Sequence, residues 1–203
     1  MDILQAFFIA TVFSFLGSIP PGALNLTVIQ IGLKGDRNGA IRFAVGAVIF
    51  EFVYATIAVG VQYFFVSQID YTLYFKIIAA LALLVLGVIN ILNKPNNKVA
   101  KDIEKGIPKF KQGMLISAFN LLPIPYWLVI TAYLESQEWV VINKQTFWFY
   151  ILGITMGAFI LLAGLGIAAS KSNIPIKNNQ LINKITGLIF VGLSIYMFVE
   201  LFL

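Results

Sequence analysis

The chain has 203 residues, of which 60% are hydrophobic and 11% charged, with a mean hydropathy of +0.90. Globular chains carry about 25% charged residues, so the composition excludes a soluble domain. Cysteine and histidine are both absent, which excludes thiol redox chemistry, disulfides and imidazole metal sites and leaves carboxylates as the groups for any proton relay.

About 20 apolar residues cross a bilayer, and the chain offers six such runs: 3–33, 41–66, 73–93, 113–134, 146–170 and 185–203. The expectation is an all-α integral membrane protein with six transmembrane helices in a single domain, 1–203. Met1-Asp2 opens the chain without a basic segment, so the first run does not read as a cleaved signal peptide.

The first run is interrupted at its centre by Pro20-Pro21-Gly22. Proline lacks a backbone N–H and its ring clashes with the preceding turn. Backbone freed in this way survives in a membrane only where protein or a water-filled cavity satisfies it, so a span broken at this depth points to a solute-binding site. Asn25 lies just beyond the break, and its amide both donates and accepts. It is expected either to contact substrate or to satisfy freed backbone. A half-helix starting near Pro21-Gly22 presents N–H groups and a positive dipole end, which suit a carboxylate.

The second run aligns Ala44, Val48, Glu51, Ala55 and Ala58 on one helical face. Glu51 lies about ten residues into the run, near mid-bilayer at about 1.5 Å rise per residue. A carboxylate there costs about 2.5–3.5 kcal/mol on insertion scales. It reads as the only ionisable side chain deep within any run, and as a proton carrier or a counter-charge for a substrate ammonium. The alternative is a structural, hydrogen-bonded glutamate. Tyr54 is the one titratable neighbour.

A polar segment, 94–112, divides the runs three and three, into halves of about 1–93 and 113–203. Three is odd, so the halves face opposite ways, and a shared fold would make them a 3+3 inverted-topology repeat. The fourth run supplies a counterpart to the first: Asn120, Pro123 and Pro125 fall mid-run, followed by Tyr126 and Trp127. Proline-interrupted segments at corresponding places in two halves mark a binding site. Helices one and four are therefore expected to break at Pro20, Pro21 and Gly22, and at Pro123 and Pro125, as two parts of one gate. Ordinary proline kinks are the alternative. Two anion-friendly helix ends beside one carboxylate would suit a zwitterion such as an amino acid.

In the fifth run Gly153, Gly157, Ile160, Gly164 and Ala168 form a small-residue face. Such a face permits close helix approach, within the chain or across a homodimer. Thr27, Gln30, Gln62 and Thr155 read as helix–helix hydrogen-bonding groups, and Tyr126 and Trp127 as cavity or packing aromatics.

Twelve of the 14 basic residues fall after runs one, three and five: Lys34, Arg37, Arg42; Lys94, Lys98, Lys101, Lys105, Lys109, Lys111; Lys171, Lys177 and Lys184. The positive-inside rule places those loops (34–42, 94–112 and 171–184) in the cytoplasm and both termini outside. Topology accounts for the net charge of +5, so no nucleic-acid partner is expected. Trp139, Trp148, Tyr150, Tyr63, Tyr71 and Tyr74 lie near run ends and read as interfacial anchors.

The run Pro21-Gly22-Ala23-Leu24-Asn25-Leu26, the loop Gly32-Leu33-Lys34-Gly35-Asp36-Arg37-Asn38-Gly39, and Gly46 with Glu51 five positions on resemble the LysE/RhtB family of bacterial amino-acid exporters. Gly113, Asn120 and Pro123 resemble that family's fourth span. Ala23 stands where the family has a second proline, Glu51 where aspartate is common, and Leu121-Leu122 separate Asn120 from Pro123, which the family has adjacent. The resemblance implies proton-driven export of amino acids or related metabolites across a bacterial inner membrane, with no cofactor and no enzymatic activity. A thiol-disulfide electron carrier of similar layout requires the missing cysteines. A metal-ion exporter, an intramembrane enzyme using Glu51 and Tyr54, and a non-transporting scaffold are the other readings.

Overall fold

The computed structural model describes residues 3–19, 22–66 and 107–171, together with isolated helical positions between 77 and 92 and between 188 and 199. The third and sixth apolar runs, most of the 94–112 segment, and Pro20 and Pro21 lie outside the described residues. Six helices are described: α1 (Ile3–Ser18), α2 (Ala23–Leu33), α3 (Arg37–Val66), α4 (Lys109–Ala118), α5 (Pro123–Ser136) and α6 (Phe147–Ser170). No strand occurs among the described residues.

α3 and α6 are each long and apolar enough to cross a membrane alone. The first and fourth runs are bent pairs: α1 meets α2 at 80°, and α4 meets α5 at 69°. α5 opens on Pro123, where the missing N–H is harmless because first-turn donors have no helical acceptor. α4 begins at Lys109, earlier than hydropathy places the fourth run. Lys109 Nζ reaches one turn along the helix to Gln112 Oε1 at 3.4 Å, as long basic side chains do at a membrane edge.

A tight turn joins α2 to α3. Gly35 sits at φ +79°, the left-handed conformation that ends helices at low cost only for glycine. Its N–H donates to Gly32 O at 2.8 Å. Asp36 then caps α3: its Oδ1 accepts the Gly39 N–H at 2.7 Å, satisfying one of the orphan first-turn donors. The segment between α5 and α6 folds back onto α5. The N–H groups of Trp139 and Val140 both donate to Leu134 O, Thr146 Oγ1 donates to Val141 O at 2.6 Å, and Val140 and Ile142 are buried in the core.

Packing crosses between the halves. α1 and α2 lie along α6 in its own direction: Gly153 faces Phe7 O and Ala10, Gly157 faces Thr11 O and Ser14, and Gly32 faces Gly166 O and Ala169. Ser14 Oγ donates to Ile154 O at 2.5 Å across the first of these contacts. α4 and α5 lie along α3: Gly113 faces Phe43 O and Ala47, while Gly46 faces Phe110 O and Met114. α3 and α6 are antiparallel, with Ala40 against Gly166 at one end and Tyr63 against Phe147 at the other. The bent pair α1–α2 therefore rides on α6, and α4–α5 on α3. The Gly153/Gly157 face is filled by α1, so it serves packing within the chain.

Gly153→Leu is expected to force α1 off α6 and to cost about 1–3 kcal/mol, the usual penalty of overpacking. Among the described residues nothing lies within 4 Å of a Cβ placed at Gly164, so Gly164→Leu should be tolerated. Thermal unfolding of the two variants in detergent measures the contrast.

Candidate functional site

Glu51 lies mid-way along α3, half-buried, on the face that packs against α5. Trp127, on the second turn of α5 and 1% exposed, donates its Nε1–H to Glu51 Oε1 at 3.0 Å. No lysine or arginine among the described residues pairs with Glu51. The residue before the tryptophan reaches the other way. Tyr126 Oη donates to Phe13 O of α1 at 3.1 Å, and its ring covers Gly17, where a Cβ would run into the phenol. Consecutive residues at the start of α5 thus join the end of α1 to Glu51. Trp127 also packs edge-on against Tyr126 and Tyr150.

The other sequence-derived candidates fall around the two bends. Asn25, buried on α2, donates Nδ2–H to Ser18 O at 2.8 Å and to Ile19 O at 3.4 Å. Of the two roles expected for it, satisfying backbone freed at the first break is the one these bonds fulfil. Tyr54 does the same at the second: its hydroxyl donates to Ala118 O, the last carbonyl of α4, at 2.6 Å. Asn120 is half-buried in the gap between α4 and α5, and its side chain makes no hydrogen bond among the described residues. Gly22 caps α2 in extended backbone, has open space around its Cβ direction, and needs no special conformation. Pro123 and Pro125 are half-buried in the first turn of α5.

The start of α5 differs from the anion-friendly end expected of it. Pro123 and Pro125 carry no N–H, the Ile124 N–H donates to Leu121 O at 3.2 Å, and that of Tyr126 donates to Leu122 O at 3.3 Å. The two prolines that open the helix thereby remove the donors a carboxylate would use. α2 carries no side-chain cap and retains that character. Thr27 and Thr155 each donate to the carbonyl four residues back on their own helix, as isolated hydroxyls in spans commonly do.

A second acid escapes the hydropathy reading. Glu135 lies one residue beyond the fourth apolar run, yet α5 continues through it to Ser136. Its Oε1 accepts the Ile142 N–H at 3.1 Å and its Oε2 accepts from Gln62 Nε2 at 3.4 Å. The sequence signal is its spacing from Trp127: eight residues, two helical steps of four on one face. Among the described residues no three histidine, cysteine or acidic side chains gather in one place.

Residues 15–201 match the family model of the LysE type translocator. The chain belongs to the LysE type translocator family. That family is one of transporters, and with the apolar helices α3 and α6 it makes this chain a multi-pass membrane protein of that kind. No curated protein and no solved structure matches it.

Tyr54→Phe strands Ala118 O in the interior and is expected to cost about 1–3 kcal/mol, the penalty of an unsatisfied buried group. Tyr63→Phe removes a hydroxyl with no hydrogen bond among the described residues and should be near neutral. Chemical or thermal unfolding in lipid nanodiscs compares them directly.

Proposed function

We propose that this LysE-type translocator exports amino acids or related small zwitterionic metabolites by proton antiport, with Glu51 carrying the proton or receiving the substrate ammonium. The observation that carries the reading is the setting of Glu51. An acid at mid-span is held by one neutral N–H donor from a broken helix and, among the described residues, by no cation. A carboxyl group in that setting has a charge left to be matched by what it transports. The uncapped start of α2 is a place for a substrate carboxylate, close in sequence to Asn25.

The chain is read as one transport domain of two halves, 1–93 and 113–203, in an inverted-topology repeat. The crossed packing supports this: exchanging α1 with α4, α2 with α5 and α3 with α6 converts the packing of α1 and α2 on α6 into that of α4 and α5 on α3, and the two long helices run antiparallel. Pro20 and Pro21 are read as the cause of the first break and Pro123 and Pro125 of the second, through lost N–H donors and ring clashes. The positive-inside rule puts the α2–α3 turn in the cytoplasm of a bacterial inner membrane and the α5–α6 connection outside.

Reconstituted into liposomes with an imposed pH gradient and offered a panel of labelled amino acids, the protein is expected to drive at least one of them against its gradient. Glu51→Gln should abolish that movement while folding normally. Coupled transport that survives Glu51→Gln would sink the proton role. Movement of divalent metals instead would favour a metal-ion exporter, and movement of nothing a scaffold.

A further inference from the structure

The seam between α3 and α5 carries polar groups beyond Glu51. On α5, Trp127, Thr131 and Glu135 follow one another at four-residue spacing and share a face. On α3, Glu51, Ala55, Ala58 and Gln62 share the opposing one. Trp127 meets Glu51 at one end of the seam, and Gln62 meets Glu135 at the other. Between them the hydroxyls of Thr131 and Tyr150 lie 3.2 Å apart, both buried. Ala55 and Ala58 are fully buried and add little bulk. Eight residues of α5 separate the two ends, about 12 Å at 1.5 Å per residue.

Glu135 is surrounded by neutral groups. α3 presents Gln62 to it, the α5–α6 connection presents the Ile142 N–H, and α6 presents the Tyr150 phenol, the one titratable group facing it among the described residues. No lysine or arginine among the described residues pairs with it. Gln62 is 3% exposed, and its Oε1 has no hydrogen-bond partner among the described residues. A buried acceptor without a donor is costly. Beside it stands a carboxyl group, which gains an O–H donor when it takes up a proton. A half-turn of the Gln62 amide places Oε1 where Nε2 stands, opposite that O–H. The amide therefore serves the carboxyl in both states: Nε2 donates to the carboxylate, and Oε1 accepts from the acid. An arginine would serve only the carboxylate, and a leucine neither.

We propose that Glu135 and Gln62 form a second proton-binding site, at the end of the seam where α3 and α5 finish, which exchanges protons with the solution on that side and passes them to Glu51. The second half of this statement rests on the proton-coupled reading of Glu51. Glu135 takes a proton from water, and Glu51 gains one as Glu135 loses it. The Thr131 and Tyr150 hydroxyls release one O–H proton for each they accept, so they end unchanged.

The test is pH-difference infrared spectroscopy of the full chain in lipid, which reads carboxyl C=O bands and needs no transported solute. The native spectrum is expected to gain distinct bands for Glu51 and Glu135 on acidification. Glu135→Gln should remove one, Glu51→Gln the other, and Gln62→Leu should shift the Glu135 band by removing its amide partner. After a pH jump from the α3 C-terminal side, the rise of the Glu51 band should slow about 100-fold in Glu135→Gln, the scale of losing a positioned acid–base group. Identical native and Glu135→Gln spectra would overturn the proposal and leave Glu135 as a permanently charged clasp for the α5–α6 connection. If Glu135→Gln does not fold, a native spectrum unmoved by Gln62→Leu overturns it equally. A Glu51 band missing from the native spectrum overturns the proton reading of Glu51 instead, while the Glu135 band still decides the site.

Discussion

A carbonyl oxygen stranded inside a bilayer costs several kcal/mol unless something donates to it. Two of the four apolar runs described in this chain are broken mid-way, so each leaves a helix end at depth. The surrounding architecture can be read as the answer to those ends. Asn25 donates across the first bend to Ser18 O and Ile19 O. Tyr54 donates from α3 to Ala118 O at the second. Tyr126 donates from beyond the second bend to Phe13 O, one turn before the first. Asn25 and Tyr54 thus answer to carbonyls at the ends of α1 and α4, Tyr126 adds a bond to a carbonyl within α1, and each of these donors comes from a different helix or half-helix from the carbonyl it serves.

Donors on one helix reach carbonyls on another only if the backbones come close, and the glycines make that possible. Gly153 and Gly157 admit the α1 backbone, Gly46 and Gly113 admit one another's helices, and Gly32 meets Gly166. In lipid no hydrophobic force pulls helices together, so small residues and close packing supply the association. The bent pairs could not sit on the long helices of the opposite halves with bulky residues at these positions. The same crossing brings the start of α5 onto both Glu51 and the end of α1.

Much of this was legible in the sequence, and the limits have physical reasons. Apolar runs locate spans because burial in lipid is dominated by composition, and so α3 and α6 fall where expected. The proline pairs and asparagines mark the bends, and the glycine stripe marks a close approach. What a stripe does not encode is its partner: that α1, and no second copy of the chain, fills Gly153 and Gly157 depends on tertiary placement. Asn25 was legible as a substrate contact or as a donor to freed backbone, and its bonds at the first bend are of the second kind; Tyr54, read as a neighbour of Glu51, was not legible as a donor to Ala118 O, because that carbonyl lies on a helix distant in sequence. Glu135 was passed over because a charged residue ends an apolar window, although the helix continues through it. Trp127 read as a cavity or packing aromatic and not as a donor to Glu51, since an indole N–H has a visible role only once its acceptor is placed.

Among the described residues Glu51 is held by an indole and not by a cation. A guanidinium or ammonium beside it would make a closed ion pair, a buried arrangement that is strongly destabilised when one partner is lost and therefore ill suited to repeated loading. Trp127 offers one neutral N–H, which orients the carboxyl without cancelling its charge. The other carboxyl oxygen makes no hydrogen bond among the described residues. Because Trp127 stands on the half-helix that begins at the second break, and Tyr126 ties that same turn to the end of α1, any change in what Glu51 holds acts directly on the segment joining both bends. Glu51 is thereby tied through hydrogen bonds to both broken helices, the placement that discontinuous helices give to the sites of secondary transporters.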